Sequence, residues 1–167
     1  VSGRLIDDAA FNVNYECASP AGTVRSLTAE DGSFSCPNGS QATFALVNPD
    51  KPEFRITLGS VTVTAPARIY GDSSSIPVYF YVTPRTLAGD PMGAPLSDRA
   101  LNITRLLQTL STDTADASLP TRRIVIADDD KRRITATTKV DTNVFSASIA
   151  PFPSAPRAGS FDEAIKP

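Results

Sequence analysis

The stretch "VNYECASPAGTVRSLTAEDGSFSCPNGSQATFALV", Val13 to Val47, holds both cysteines of the chain inside what read as consecutive short strands. Its opening extends back into "FNVNYEC", where Phe11, Val13, Tyr15 and Cys17 alternate with Asn12, Asn14 and Glu16. A period of two places one set on a buried face and the other in water, which predicts a half-buried strand. Asp31-Gly32 separates "TVRSLTA" from "SFSC", and this dipeptide favours the positive φ angles of tight hairpin turns. A hairpin between those two segments is therefore expected. Asn38-Gly39 marks a second turn ahead of "ATFALV".

Working outward, "VSGRLIDDAAF" reads as a first extended run ending in Asp7-Asp8, while "FRITLGSVTVTA" and "IPVYFYVTP" add β-branched and aromatic runs punctuated by Pro and Gly. Strands at this spacing predict a mainly β chain, a mostly antiparallel β-sandwich or barrel. One strong helix stands out, near residues 97–111. In "PLSDRALNITRLLQTL", Ile103, Leu106, Leu107 and Leu110 fall at i, i+3, i+4 and i+7 and form one apolar stripe. Ser97 is its expected N-cap and Asp98 sits in the first turn, with Arg99, Asn102, Arg105 and Gln108 facing away. The helix packs across an open sheet or docks a partner. The expected organisation is a β-sandwich domain over 1–150, followed by a Pro-rich extended segment over 151–167.

If Cys17 and Cys36 end two strands of one small sheet, a disulfide between them stabilises by about 3 kcal/mol through the chain entropy it removes. Such a bond implies an oxidising compartment, secreted or at the cell surface. Two buried reduced thiols are the alternative.

The run "VSGRLIDDAAFNVNYECASPAGTVRSLTAEDGSFSC", with its opening V-x-G strand leading to T-x-x-D-G-x-F, resembles the carboxypeptidase-regulatory-like, or transthyretin-like, β-sandwich repeats of bacterial surface proteins. The order of "VNYEC", "DGSFSC", "ATFAL", "ITLGSV", "YVTPRTL" and "NITRLLQTL" is similar to the N-terminal region of bacterial surface lipoproteins and adhesin-like proteins, over roughly residues 1–126. The resemblance implies a place outside the cell and a sandwich architecture. In that group the segment after the "LLQTL" helix often carries a calcium-type loop. Here "STDTADASLP" keeps only Asp113 and Asp116, without Gly.

Composition restricts the chemistry. The chain has 167 residues, 16 basic and 18 acidic side chains, a net charge of -2 and no histidine. There is no broad basic field to attract nucleic acid, and no general base of the usual kind near neutral pH. Zinc would have to use two cysteines and carboxylates, without the clustered ligand pairs of structural sites. No apolar run spans a bilayer, and the chain opens with Val, as a processed mature protein would. Neither catalysis nor a cofactor is expected. A carboxylate pair such as Asp7 and Asp31 could in principle do acid-base work, but no spacing nominates it.

Three further segments carry expectations. "RRIVIADDDKRRITATT" places Asp128 to Asp130 between clustered cations, read as a charged hairpin tip that keeps a sheet edge soluble, or as a minor contributor to a calcium site. "RRITATTKVDTNVFSASIAPF" alternates with apolar even positions up to Val144 and apolar odd positions from Phe145. That change of phase marks a sandwich corner, or a strand that completes a neighbouring subunit's sheet. "APFPSAPRAGSFDEAIKP" reads as a linker, or as an arm laid on the next subunit. The sequons at Asn38 and Asn102 are chance matches, and "GDSSSIP" reads as a surface loop.

The function expected is an extracellular structural or adhesive building block of a bacterial surface filament or stalk, meeting other copies or neighbouring domains through Thr142, Val144, Phe145, Ala147, Ile149, Phe152 and Phe161. A carbohydrate- or protein-binding module of a larger surface protein is the alternative. With no Trp and four Tyr, the chain is poor in aromatic platforms for that role.

Overall fold

A computed structural model of the chain describes residues 1–6, 8–66, 79–111 and 123–135. The fold is mainly β. Its nine strands, among the described residues, are β1 (Ser2–Leu5), β2 (Ala9–Phe11), β3 (Asn14–Ser19), β4 (Gly22–Leu27), β5 (Ser33–Ser35), β6 (Gln41–Val47), β7 (Arg55–Thr62), β8 (Phe80–Val82) and β9 (Arg123–Val125). Helices α1 (Pro84–Ala88) and α2 (Asp98–Leu110) follow β8, and α3 (Asp128–Arg132) follows β9.

Four strands form an antiparallel sheet in the order β4-β3-β6-β7. A second sheet, β5-β1-β8, is mixed: β1 is antiparallel to β5 and parallel to β8. The parallel pair β2-β9 makes a third. The alternation expected of β3 is present, with Tyr15 and Cys17 buried and Glu16 on the wetter face. Ala42, Phe44 and Leu46 of β6 and Ile56 and Leu58 of β7 extend the same buried face. Against it comes Phe34 of β5, its ring edge-on to Phe44 at 5.1 Å between centroids and tilted against Tyr15 at 5.7 Å. Aromatic pairs in this geometry add stabilisation beyond the area they bury.

The helix α2 is where its apolar stripe predicts. Ser97 caps it by accepting from the Ala100 amide at 3.2 Å, and Ile103, Leu106 and Leu107 are buried. Asn102 departs from the expectation that it faces away, since it is fully buried. The helix packs against α1 and β9. The Thr83 side chain caps α1, which presses on β7 at Gly59. A Cβ at that glycine would collide with the Leu87 carbonyl, so only glycine permits the approach.

The first extended run, expected to end in Asp7-Asp8, forms β1, which ends at Leu5, and β2 begins at Ala9 in a different sheet. Two local expectations are corrected. Asp31-Gly32 does turn the chain, with Gly32 at φ 73°, but it does not close a hairpin. Instead β4 pairs with β3, while β5 leaves for the other sheet and joins β1. The reason is burial: β4 exposes every residue, whereas Phe34 and Cys36 need a core and reach it only by crossing. The Asp128–Asp130 run opens helix α3 rather than tipping a hairpin. Three carboxylates in a first turn and Lys131 and Arg132 in the last suit the helix dipole, and Asp128–Lys131 and Asp129–Arg132 pair at 3.3 and 2.6 Å.

Candidate functional site

The β3-β4 hairpin turns at Pro20-Ala21 and leaves β4 at the rim of the four-stranded sheet. Among the described residues no strand pairs with its outer edge. All six residues are exposed, Val24 and Leu27 at 47% and 46%. Thr28 and Val13 form a hydrogen-bonded pair, the Thr28 amide donating to the Val13 carbonyl at 2.9 Å. Because such pairs alternate along an antiparallel ladder, the backbone groups of Thr23, Arg25 and Leu27 point away from β3. The opposite rim, β7, is covered by α1, and the Arg99 guanidinium donates to the Leu58 carbonyl at 3.1 Å. A charged pair guards the open rim, Arg25 to Glu16 at 2.7 Å. Its hydrogen bond holds the Glu16 carboxyl below its ordinary range.

Beside this rim the two larger sheets part in an open cleft of about 390 Å³, lined by Tyr15, Leu27, Ser33, Phe34 and Tyr79 among others. The Tyr15 hydroxyl accepts from the Ser35 amide at 3.3 Å, and the Arg4 guanidinium lies 4.2 Å from the centre of the Tyr79 ring. Arg4 also pairs with Asp31 at 2.9 Å. Hydrogen bonding to Ser33, ahead of the attraction of Arg4, keeps the Asp31 carboxyl ionised and unsuited to act as an acid near neutrality. Asp7 lies outside the described residues.

Cys17 and Cys36 are joined, with Cα atoms 5.7 Å apart. They do not sit in one sheet as expected. Cys17 belongs to β3, while Cys36 follows β5, so the bond ties the four-stranded sheet to the three-stranded one next to the cleft.

A second tie is polar. Between β2 and β3, Asn12 adopts φ 62°, a conformation that Asn tolerates better than most residues. Its carboxamide nitrogen donates to the Ile126 carbonyl at 2.7 Å and to Asp128 at 2.9 Å, and its oxygen accepts from Lys131 Nζ at 2.9 Å. Lys131 is 3% exposed, and burial lowers its pKa despite Asp128 beside it. Asp128 is held below its ordinary range first by Asn12 and then by Lys131. Alongside, the Asn48 side-chain carboxamide nitrogen donates to the Arg132 and Ile134 carbonyls at 3.0 and 2.9 Å. Asn12 thereby fastens the segment after β9 to the corner after β2, and Asn48 fastens it to the turn after β6. The three aspartates do not converge on a common point, since Asp128, Asp129 and Asp130 each face a different cation.

The residues expected at an assembly interface, Thr142, Val144, Phe145, Ala147, Ile149, Phe152 and Phe161, lie outside the described residues, as do the phase change and the Pro-rich segment. Asn12, Asn48 and Lys131 were not singled out by their sequence. The acid-then-base order of "DDDKR" was the available signal for α3, and through it for the burial of Lys131. Compared with known proteins, the chain matches no protein-family model, no curated protein and no solved structure.

Proposed function

We propose that the chain is an extracellular structural or adhesive building block of a bacterial surface filament or stalk, and that copies join by adding a strand to the open rim of β4. The observation that carries this reading is the fully exposed β4, whose outward amides and carbonyls are a template for another strand. The inter-sheet disulfide supports an oxidising location. No helix among the described residues is long and apolar enough to cross a membrane. The donor is the segment Thr142 to Ile149 of a neighbouring copy, with Phe152 and Phe161 as anchors beside the cleft.

Light scattering on the full chain, on a chain ending at Ala150 and on Thr23→Pro tests it. Proline at position 23 removes an amide that faces away from β3, so the hairpin persists while strand addition is blocked. The full chain forms assemblies, truncation shortens them, and Thr23→Pro stays monomeric. Monomers throughout would sink the assembly reading. The cleft favours the second reading, a ligand-binding module, which is sustained if Tyr79→Ala weakens binding of a carbohydrate or peptide probe by a monomeric chain.

A further inference from the structure

We propose that Asn12 and Lys131 are joined by an intramolecular amide bond, formed by this chain's own residues, which locks the corner after β2 to helix α3. The inference needs no second copy and stands apart from the assembly reading.

Three groups with complementary chemistry meet here. Lys131 Nζ, the attacking atom, is 2.9 Å from the Asn12 carboxamide oxygen, so the carbon it must reach lies one carbonyl bond further on. The Asn12 nitrogen, the leaving atom, is 2.9 Å from an Asp128 carboxylate oxygen. That same oxygen is 3.3 Å from Lys131 Nζ. A single carboxylate oxygen therefore touches both the nitrogen that must lose protons and the nitrogen that must gain one. The carboxamide is held in register by its second hydrogen bond, to the Ile126 carbonyl. Such positioning converts a sluggish bimolecular aminolysis into a unimolecular step.

The step balances without a co-reactant. Asp128 takes a proton from the Lys131 ammonium, and the free amine adds to Asn12 Cγ. Through Asp128 the tetrahedral adduct moves a proton from Nζ to Nδ2. The Cγ–Nδ2 bond breaks as the Cγ–Nζ amide is completed, and ammonia departs with the remaining proton as ammonium, leaving Asp128 ionised again. Nothing is oxidised or reduced. Burial makes the Lys131 ammonium easier to deprotonate, the depressed Asp128 carboxyl makes the transfer uphill and the reaction slow, and the product removes a buried charge. Asp128 is about half exposed, which gives ammonium a route to solvent.

Intact-mass spectrometry of the purified, folded full chain decides the matter. The expected mass is that of the disulfide-bonded sequence less one ammonia, and a protease digest yields a branched fragment joining the Asn12 and Lys131 peptides. Asn12→Ala and Asp128→Ala retain the full mass. A wild-type chain that keeps its ammonia after prolonged incubation overturns the proposal, whatever the variants do. Loss of ammonia that persists in Asn12→Ala overturns it too, because the loss then arises elsewhere. Cross-linking that persists in Asp128→Ala overturns the role of Asp128.

Discussion

Thr28 uses one hydroxyl twice. Its Oγ1 donates to the Ala10 carbonyl at 2.6 Å and accepts from the Val13 amide at 3.0 Å, while its own carbonyl accepts from the Asn12 amide at 3.1 Å. The residue is 1% exposed, so no water replaces a lost partner. Thr28→Val keeps the shape but strands a buried carbonyl and a buried amide, and each unsatisfied group costs about 1–3 kcal/mol. The expected outcome is a fall in the urea midpoint equivalent to about 2–6 kcal/mol with an unchanged slope. A neutral result would mean that water reaches the corner after β2. In the sequence Thr28 is one hydroxyl among many, and its role depends on a meeting of β2, β3 and β4 that no local pattern encodes. The same holds for Asn12 and Lys131, whose letters read equally well as solvated surface. Tyr15 and Cys17, by contrast, were legible because alternation marks a buried face wherever the strand lies.

At the scale of elements, β3 and α2 were readable because each carries a full period of apolar residues and α2 also carries its cap. The segments that misled were short ones at junctions. Asp31-Gly32 encodes a turn but not its destination, since choosing between a hairpin and a sheet crossing depends on where Phe34 and Cys36 find a core. Helix α3 is five residues long and has no side-chain N-cap bond, so its ion pairs and the Asn12 contact carry much of its stability. Its response to acid follows. As long as Asn12 and Lys131 are unlinked, Asp128 has a folded pKa depressed below the ordinary 3.8, first by Asn12 and then by Lys131. Its stabilising contribution is therefore complete above about that ordinary value and is lost as pH falls through the lower, folded one. Hydrogen exchange followed from neutral pH into this acid window, corrected for the pH dependence of intrinsic exchange, shows protection of the Lys131 and Arg133 amides falling ahead of that of Phe44. In Asp128→Asn the acid-dependent part of that loss is absent. Equal loss at Phe44 would mean that α3 and the main sheet open as one unit.

Across the whole molecule, the chain enters one sheet, leaves it after Leu5 and returns to it at β5 and β8, with the larger sheet built in between. Two sheets that share so interleaved a chain are held together by the Phe34, Phe44 and Tyr15 cluster and by the single disulfide beside it. Since Cys17 and Cys36 belong to different sheets, reduction removes a link between layers rather than a link within one. Reduction by dithiothreitol should lower the stability of the monomeric chain by about 3 kcal/mol, read from the urea midpoint. The location of the loss is the sharper test. Strand β5 has three residues and rests on β1 at the layer boundary, whereas β6 is flanked by two long neighbours. Exchange at Phe34 and Ser35 should therefore quicken on reduction by a larger factor than at Phe44 or Leu58. Uniform quickening would show that the layers open together and that the disulfide acts only through the unfolded chain. Selective quickening at β5 would show that it holds the cleft side of the molecule shut in the folded state.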